Sequence, residues 1–157
     1  GIPAARAIAI ARAAGMPLVL AGPAEEGFDE NIAPQIDGRQ ITYVGRVKPR
    51  ERNRLLAGAA ALIYPLLYPE PFGLVMIEAM ACGTPVLAVG IGAVPELVEP
   101  GRTGYLADSW QELIGLIPRA LELDRSAIRA RAVERFDYMR MVDRHEELYR
   151  RLAESRP

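Results

Sequence analysis

Five short apolar runs recur along the chain, and each stops at Gly, Pro or Asp. Leu18-Val19-Leu20-Ala21 stops at Gly22-Pro23 and Ile41-Thr42-Tyr43-Val44 at Gly45. Ala61-Leu62-Ile63-Tyr64 stops at Pro65, Pro85-Val86-Leu87-Ala88-Val89 at Gly90, and Tyr105-Leu106-Ala107 at Asp108. Runs with almost no polar residue suit strands covered on both faces, as in a parallel sheet. Stretches of helical period separate them, at roughly 3–15, 50–60, 73–82 and 93–98. After the fifth run the chain reads as helix only, at roughly 109–123, 126–136 and 138–154. This is the βαβα pattern of an α/β fold: a Rossmann-like, doubly wound parallel sheet in three layers.

Composition narrows the function classes. The chain has 157 residues, half of them apolar and a quarter charged, which is enough for one domain with a core and excludes a disordered tail. The formal charge is −1, so docking on nucleic acid or acidic lipid is not expected as the main role. One Cys excludes a disulfide scaffold and a multi-cysteine metal site, and one His excludes a His-rich metal centre. The uncharged stretch Leu55 to Pro69 is too short to cross a membrane and contains Pro65. The first 24 residues end in small side chains, as a signal peptide would. Arg12 interrupts them and no charged start precedes them, so they read as a helix plus a strand, and the expected setting is the cytoplasm.

Two reactive side chains read as structural. His145 lies on an apolar stripe of the last helix (Tyr138, Met141, Val142, Leu148, Tyr149, Leu152) and is expected to pack there. Cys82 has no basic neighbour in sequence and reads as a small buried hydrophobe.

The segment Glu70-Pro71-Phe72-Gly73-Leu74-Val75-Met76-Ile77-Glu78-Ala79-Met80-Ala81-Cys82-Gly83-Thr84-Pro85 carries the chemistry. It reads as a turn, a short helix beginning near Gly73 or Leu74, and a second turn into a strand. The first N–H groups of such a helix lack partners within it and suit an anion such as a diphosphate, at the sheet edge where open α/β folds bind ligands. Glu70 precedes the helix and Glu78 sits about one turn inside. Carboxylates beside an anion site suit the acceptance of hydrogen bonds from sugar hydroxyls.

This segment resembles the Glu-x7-Glu signature and following Ala-Met-Ala-Cys-Gly-Thr-Pro-Val run of retaining glycosyltransferases of family 4. The resemblance extends to Leu18–Gly22, Ile41–Gly45, Gly92–Val98 and Gly101–Tyr105, and so to essentially the whole chain. It implies the C-terminal, donor-binding domain of a two-domain GT-B enzyme, spanning residues 1–157. Such an enzyme moves a sugar from a nucleotide-diphosphate sugar, with retention, without an essential metal and without a resident cofactor. Carried over by position, Glu70 contacts the donor sugar, and Phe72, Gly73 and Leu74 offer backbone N–H groups to sugar and diphosphate. Glu78 holds the ribose, and Gly45, Arg46 and Val47 lie near the nucleobase. A non-catalytic nucleotide-sugar binding module and a decayed α/β domain remain as alternatives; the presence of both Glu70 and Glu78 speaks against decay.

Two departures from the family pattern shape the expectation. Gly1-Ile2-Pro3 resembles the stretch just after the family's first strand and its diphosphate-neutralising Arg and Lys, and Lys48 is no substitute for them. The N-terminal acceptor domain is absent as well. Two charge-assisted hydrogen bonds are worth roughly 3–6 kcal/mol, or about two to four decades of affinity. The isolated chain is therefore expected to bind donor weakly and turn over nothing. In the strand order 3-2-1-4-5-6 the lacking first strand is central, between those at Leu18 and Ala61. The chain is accordingly expected to be a fragment of a longer polypeptide. Its gap is to be filled by a segment in trans, by a swapped partner, or by those two strands closing up.

Overall fold

The computed structural model describes residues 3–69 and 71–154. All five apolar runs are strands: β1 (Leu18–Leu20), β2 (Ile41–Tyr43), β3 (Leu62–Tyr64), β4 (Val86–Val89) and β5 (Gly104–Ala107). Before, between and after them run α1 (Pro3–Ala14), α2 (Phe28–Asn31), α3 (Pro49–Gly58), α4 (Leu74–Ala81), α5 (Val94–Leu97), α6 (Leu113–Leu121), α7 (Arg125–Phe136) and α8 (Tyr138–Glu154). The boundaries follow local chemistry. Pro49 opens α3, where Glu51 accepts from the Lys48 N–H at 2.9 Å. Asp124 caps α7 by accepting from Ser126 and Ala127. The 109–123 stretch is helical only from Leu113.

The short α2 and the 3₁₀ turn behind it (Ala33–Gln35) are not anticipated by periodicity. They are too short to show an apolar stripe, yet the segment closes one end of the core. Ile32 is fully buried, and the Phe28 ring packs against Tyr43 at a 45° tilt with centroids 4.6 Å apart.

All strand pairs are parallel, but the sheet comes in two pieces. β1 pairs with β2, Leu18 opposite Ile41, and β3-β4-β5 form the second piece, Leu62 opposite Val86 and Val86 opposite Gly104. Among the described residues β1 and β3 are not hydrogen-bonded to each other, so these two strands have not closed up. Helix α1 bridges the pieces instead. Ile8 and Ala11 pack with Leu18 and Leu20, and Ile10 packs with Ile63 and Leu87.

β4 shows why three layers form. Its four residues are all buried. Val86 and Ala88 face a cluster with Leu56, Met76, Met80, Leu97 and Ile128, and Leu87 and Val89 face one with Ile10, Leu113 and Ile117. Alternate side chains on opposite faces each need a helical cover. β1 and β3 are only partly buried. Gly104 is required by close approach, because a Cβ there would stand 1.9 Å from the Val86 carbonyl oxygen.

The last helix departs from expectation. α8 has no buried residue, and Tyr138, Met141, Leu148, Tyr149 and Leu152 are exposed. His145 is not packed in a core; its Nδ1 bonds the Met141 carbonyl at 2.8 Å along the same helix. The stripe is real in period, but it meets no second layer within the described residues. No helix among them is long and apolar enough to cross a membrane.

Candidate functional site

Strands that run parallel send all their following loops to one edge. At that edge of the β3-β4-β5 piece, α4 begins at Leu74, as the sequence implies. Gly73 is its N-cap, at φ 77° and ψ 51°, a left-handed conformation that a residue without Cβ adopts readily. Glycine brings no capping oxygen, and the side chains of Phe72 and Leu74 are exposed on either side. Glu70 lies outside the described residues, so the structure carries no placement for the sugar-contact assignment.

The corresponding edge of the β1-β2 piece holds the loop Gly45-Arg46-Val47. The Gly45 carbonyl accepts from the Gly22 N–H at 2.9 Å, and the Tyr43 hydroxyl donates to the Gly22 carbonyl at 2.8 Å. These bonds tie the two strand-end loops together and leave Arg46 exposed. An open cleft of about 490 Å³ lies here, lined by Val44, Arg46, Val47, Glu51, Arg54 and Leu55. A neighbouring cleft of about 550 Å³ is lined by Lys48, Pro49, Arg50, Glu51 and Arg54. Both are basic in their lining, and neither reaches the α4 start.

Glu78 is half-buried on the α4 face turned towards α3, where Arg52 NH2 meets its Oε1 at 2.5 Å. It is thus not a freely solvated surface residue. Below it, the Cys82 thiol points at the Asn53 carbonyl at 3.8 Å. Cys82 is partly rather than fully buried, because α4 ends there. Sequence reasoning missed Arg52. α3 reads as charged almost throughout, yet position 52 shares a face with Leu55 and Leu56, and a lone Arg on that half-buried face was the available signal. Among the described residues no three His, Cys, Asp or Glu side chains lie close enough to share a metal ion.

A second charged cluster stands apart from this edge. Glu99 receives Arg131 and Arg135 from α7 and is approached by Arg102. The Arg131 hydrogen bond, aided by the charges of Arg135 and Arg102, holds its carboxyl below the usual glutamate range against the opposing effect of burial. Arg135 also donates to the Leu97 carbonyl at 3.0 Å, so the cluster fastens α7 to the end of α5. It is structural.

Parallel strands, a glycine-opened helix at their C-terminal edge and a carboxylate one turn inside define a doubly wound α/β domain of the ligand-binding kind. The chain belongs to the glycosyl transferases group 1 family, whose profile matches residues 3–122. It is 37% identical over 123 residues to a D-inositol 3-phosphate glycosyltransferase of Mycobacteroides abscessus, covering 71% of this chain and 28% of that protein. It is 31% identical over 129 residues to an alpha-maltose-1-phosphate synthase of Mycolicibacterium smegmatis, covering 72% and 33%. Among solved structures, AviGT4, a glycosyltransferase involved in avilamycin A biosynthesis, superposes with a TM-score of 0.80 at 30% identity, covering 98% of this chain and 48% of that one. Anabaena HepE, crystallised with UDP-glucose, superposes at 0.72 and 27% identity, covering 94% and 45%. The chain therefore spans about a third of these curated relatives and less than half of these solved structures, and its fold is that of the matched part of the GT-B glycosyltransferases.

Proposed function

We propose that this chain is the C-terminal donor-binding part of a retaining, metal-independent glycosyltransferase of family 4, acting in the cytoplasm. The reaction moves a sugar from a nucleotide-diphosphate sugar to an acceptor, with no resident cofactor. An N-terminal domain of a longer polypeptide supplies the acceptor site. The observation that carries this reading is the α4 start: a left-handed Gly73 opens the helix at the sheet's C-terminal edge, with Glu78 one turn inside. The crystallised HepE complexes with UDP-glucose and UDP support a nucleotide sugar as the ligand class.

In this reading the backbone of Phe72, Gly73 and Leu74 faces sugar and diphosphate, where the helix dipole favours negative charge. Glu70 accepts from hydroxyls of the transferred sugar, and Glu78 from the ribose. The cleft at Gly45, Arg46 and Val47 takes the nucleobase. Saturation-transfer NMR of the full-length protein against a panel of nucleotide sugars tests it. One nucleotide sugar should be bound in preference, with contact to both its ribose and its hexose protons. Absence of binding by every member at millimolar concentration would overturn it.

A further inference from the structure

Arg52 and Glu78 are joined unlike the best-made ion pair of the chain. Arg131 grips Glu99 as a fork, with Nε at 3.2 and 3.0 Å from the two carboxylate oxygens and NH2 at 2.8 Å. Among the described residues Arg52 uses NH2 alone, on Oε1 alone, and its buried Nε has no hydrogen-bond partner. A guanidinium placed only to hold two helices together gains most by turning Nε onto the second oxygen, as Arg131 does. Arg52 does not, so it leaves Oε2 of Glu78 to other donors. The side chains of Arg52 and Glu78 are 40% and 30% exposed, which leaves this pair within reach of a ligand. The link also joins two segments that the proposed function uses separately. α3 follows the Gly45–Val47 loop directly, and α4 starts at the Gly73 turn.

We infer that Arg52 is a positioning residue for nucleoside recognition: it pins one oxygen of Glu78 so that the other faces a ribose hydroxyl. This rests on the ribose role proposed for Glu78. Pinning at one point fixes the carboxylate rotamer before the ligand arrives, so less freedom is lost on binding. A carboxylate gripped by both prongs of the fork would have less capacity left for a hydroxyl.

The test compares Kd values for UDP and 2′,3′-dideoxy-UDP, and for the GDP pair, by calorimetry on the full-length protein, using the base that binds more tightly. The wild type should prefer the ribose form by about ten- to a hundredfold, as a hydrogen bond to a charged group allows. Glu78→Ala should abolish the preference. Arg52→Leu and the gentler Arg52→Gln should reduce it to about threefold or less while the dideoxy form binds as in the wild type, and Arg52→Lys should restore part of it. If Glu78→Ala loses the preference and both Arg52 variants keep it, Arg52 is only a helix tie and the inference falls alone. Equal weakening of both nucleotides by the Arg52 variants overturns it too. If Glu78→Ala retains the preference, the ribose reading itself fails.

Discussion

Arg125 and Thr84 meet at 2.9 Å, and between them they fasten three separate segments. The guanidinium of Arg125 donates to the Thr84 hydroxyl and to the carbonyls of Ala57 and Ala59 at the end of α3. The hydroxyl in turn donates a hydrogen bond to the Leu56 carbonyl at 2.5 Å. Thr84 is fully buried and Leu56 nearly so, so the hydroxyl and the Leu56 carbonyl would otherwise lose their water without replacement. The turn between α4 and β4 is thereby tied to the end of α3 and the start of α7.

Thr84→Val should therefore lower stability by about 1–3 kcal/mol, because it keeps the shape, strands the buried Leu56 carbonyl and takes one acceptor from the half-buried Arg125 guanidinium. Urea denaturation checks this, and an unchanged midpoint would show that water replaces the hydroxyl at no cost.

Acid should weaken the α7 clasp. The folded Glu99 carboxyl titrates below its unfolded value, chiefly through the Arg131 hydrogen bond. Its contribution to stability is fully present above the unfolded value, near pH 4.5, and is lost as pH falls through the folded one. Glu134, also held low by Arg131, acts in the same direction. Glu99→Gln should be less stable than wild type at neutral pH, and the difference should shrink below about pH 4.5. Thermal melts of both proteins across pH 3–7 would reveal a constant difference if the clasp were electrostatically idle.

Two glycines should answer alanine in opposite ways. Gly104→Ala places a Cβ against the Val86 carbonyl and should cost about 3 kcal/mol or more, since β4 and β5 must separate. Gly115→Ala meets open space within α6 and should raise stability by about 0.5–1 kcal/mol through helix propensity. Chemical denaturation of both variants is the check, and a stabilised Gly104→Ala would refute the strand approach described here.

The two carboxylates of the Glu-x7-Glu pattern should separate in kinetics. Glu78→Ala should weaken nucleotide-donor binding by about ten- to a hundredfold in the full-length protein. Glu70→Ala should mainly lower turnover, with donor affinity little changed. Donor affinity measured by titration, alongside single-turnover rates, distinguishes them; equal donor affinity in wild type and Glu78→Ala would remove the ribose assignment.

Much of the architecture was legible because burial leaves a pattern in the residues. Val86-Leu87-Ala88-Val89 carries no polar side chain, and a strand covered on both faces can carry none at no cost. The α4 boundary was legible for a similar local reason: Gly73 has no Cβ to resist φ 77°, and the helical period begins with the next residue. The α2 segment was not legible, since one helical turn is too short for a period and its burial comes from Phe28 and Ile32 meeting distant strands. The α8 stripe misled in the other direction: its period was correct, but period cannot say whether a second layer lies opposite.

By itself, then, the sequence determined the alternation of strands and helices, the parallel α/β class and the positions of Gly73 and Glu78, because each depends on neighbours within a few residues. The family resemblance already placed a gap between the strands at Leu18 and Ala61; only the tertiary structure decided that β1 and β3 do not close it and that α1 bridges the two pieces. It also decided that Arg52, 26 residues before Glu78, takes one of its oxygens and leaves a buried Nε without a partner among the described residues. Strand pairing and side-chain reach between α3 and α4 depend on how the helices stack across the sheet. That stacking is set by core shape summed over the whole chain, and no local run of residues records it.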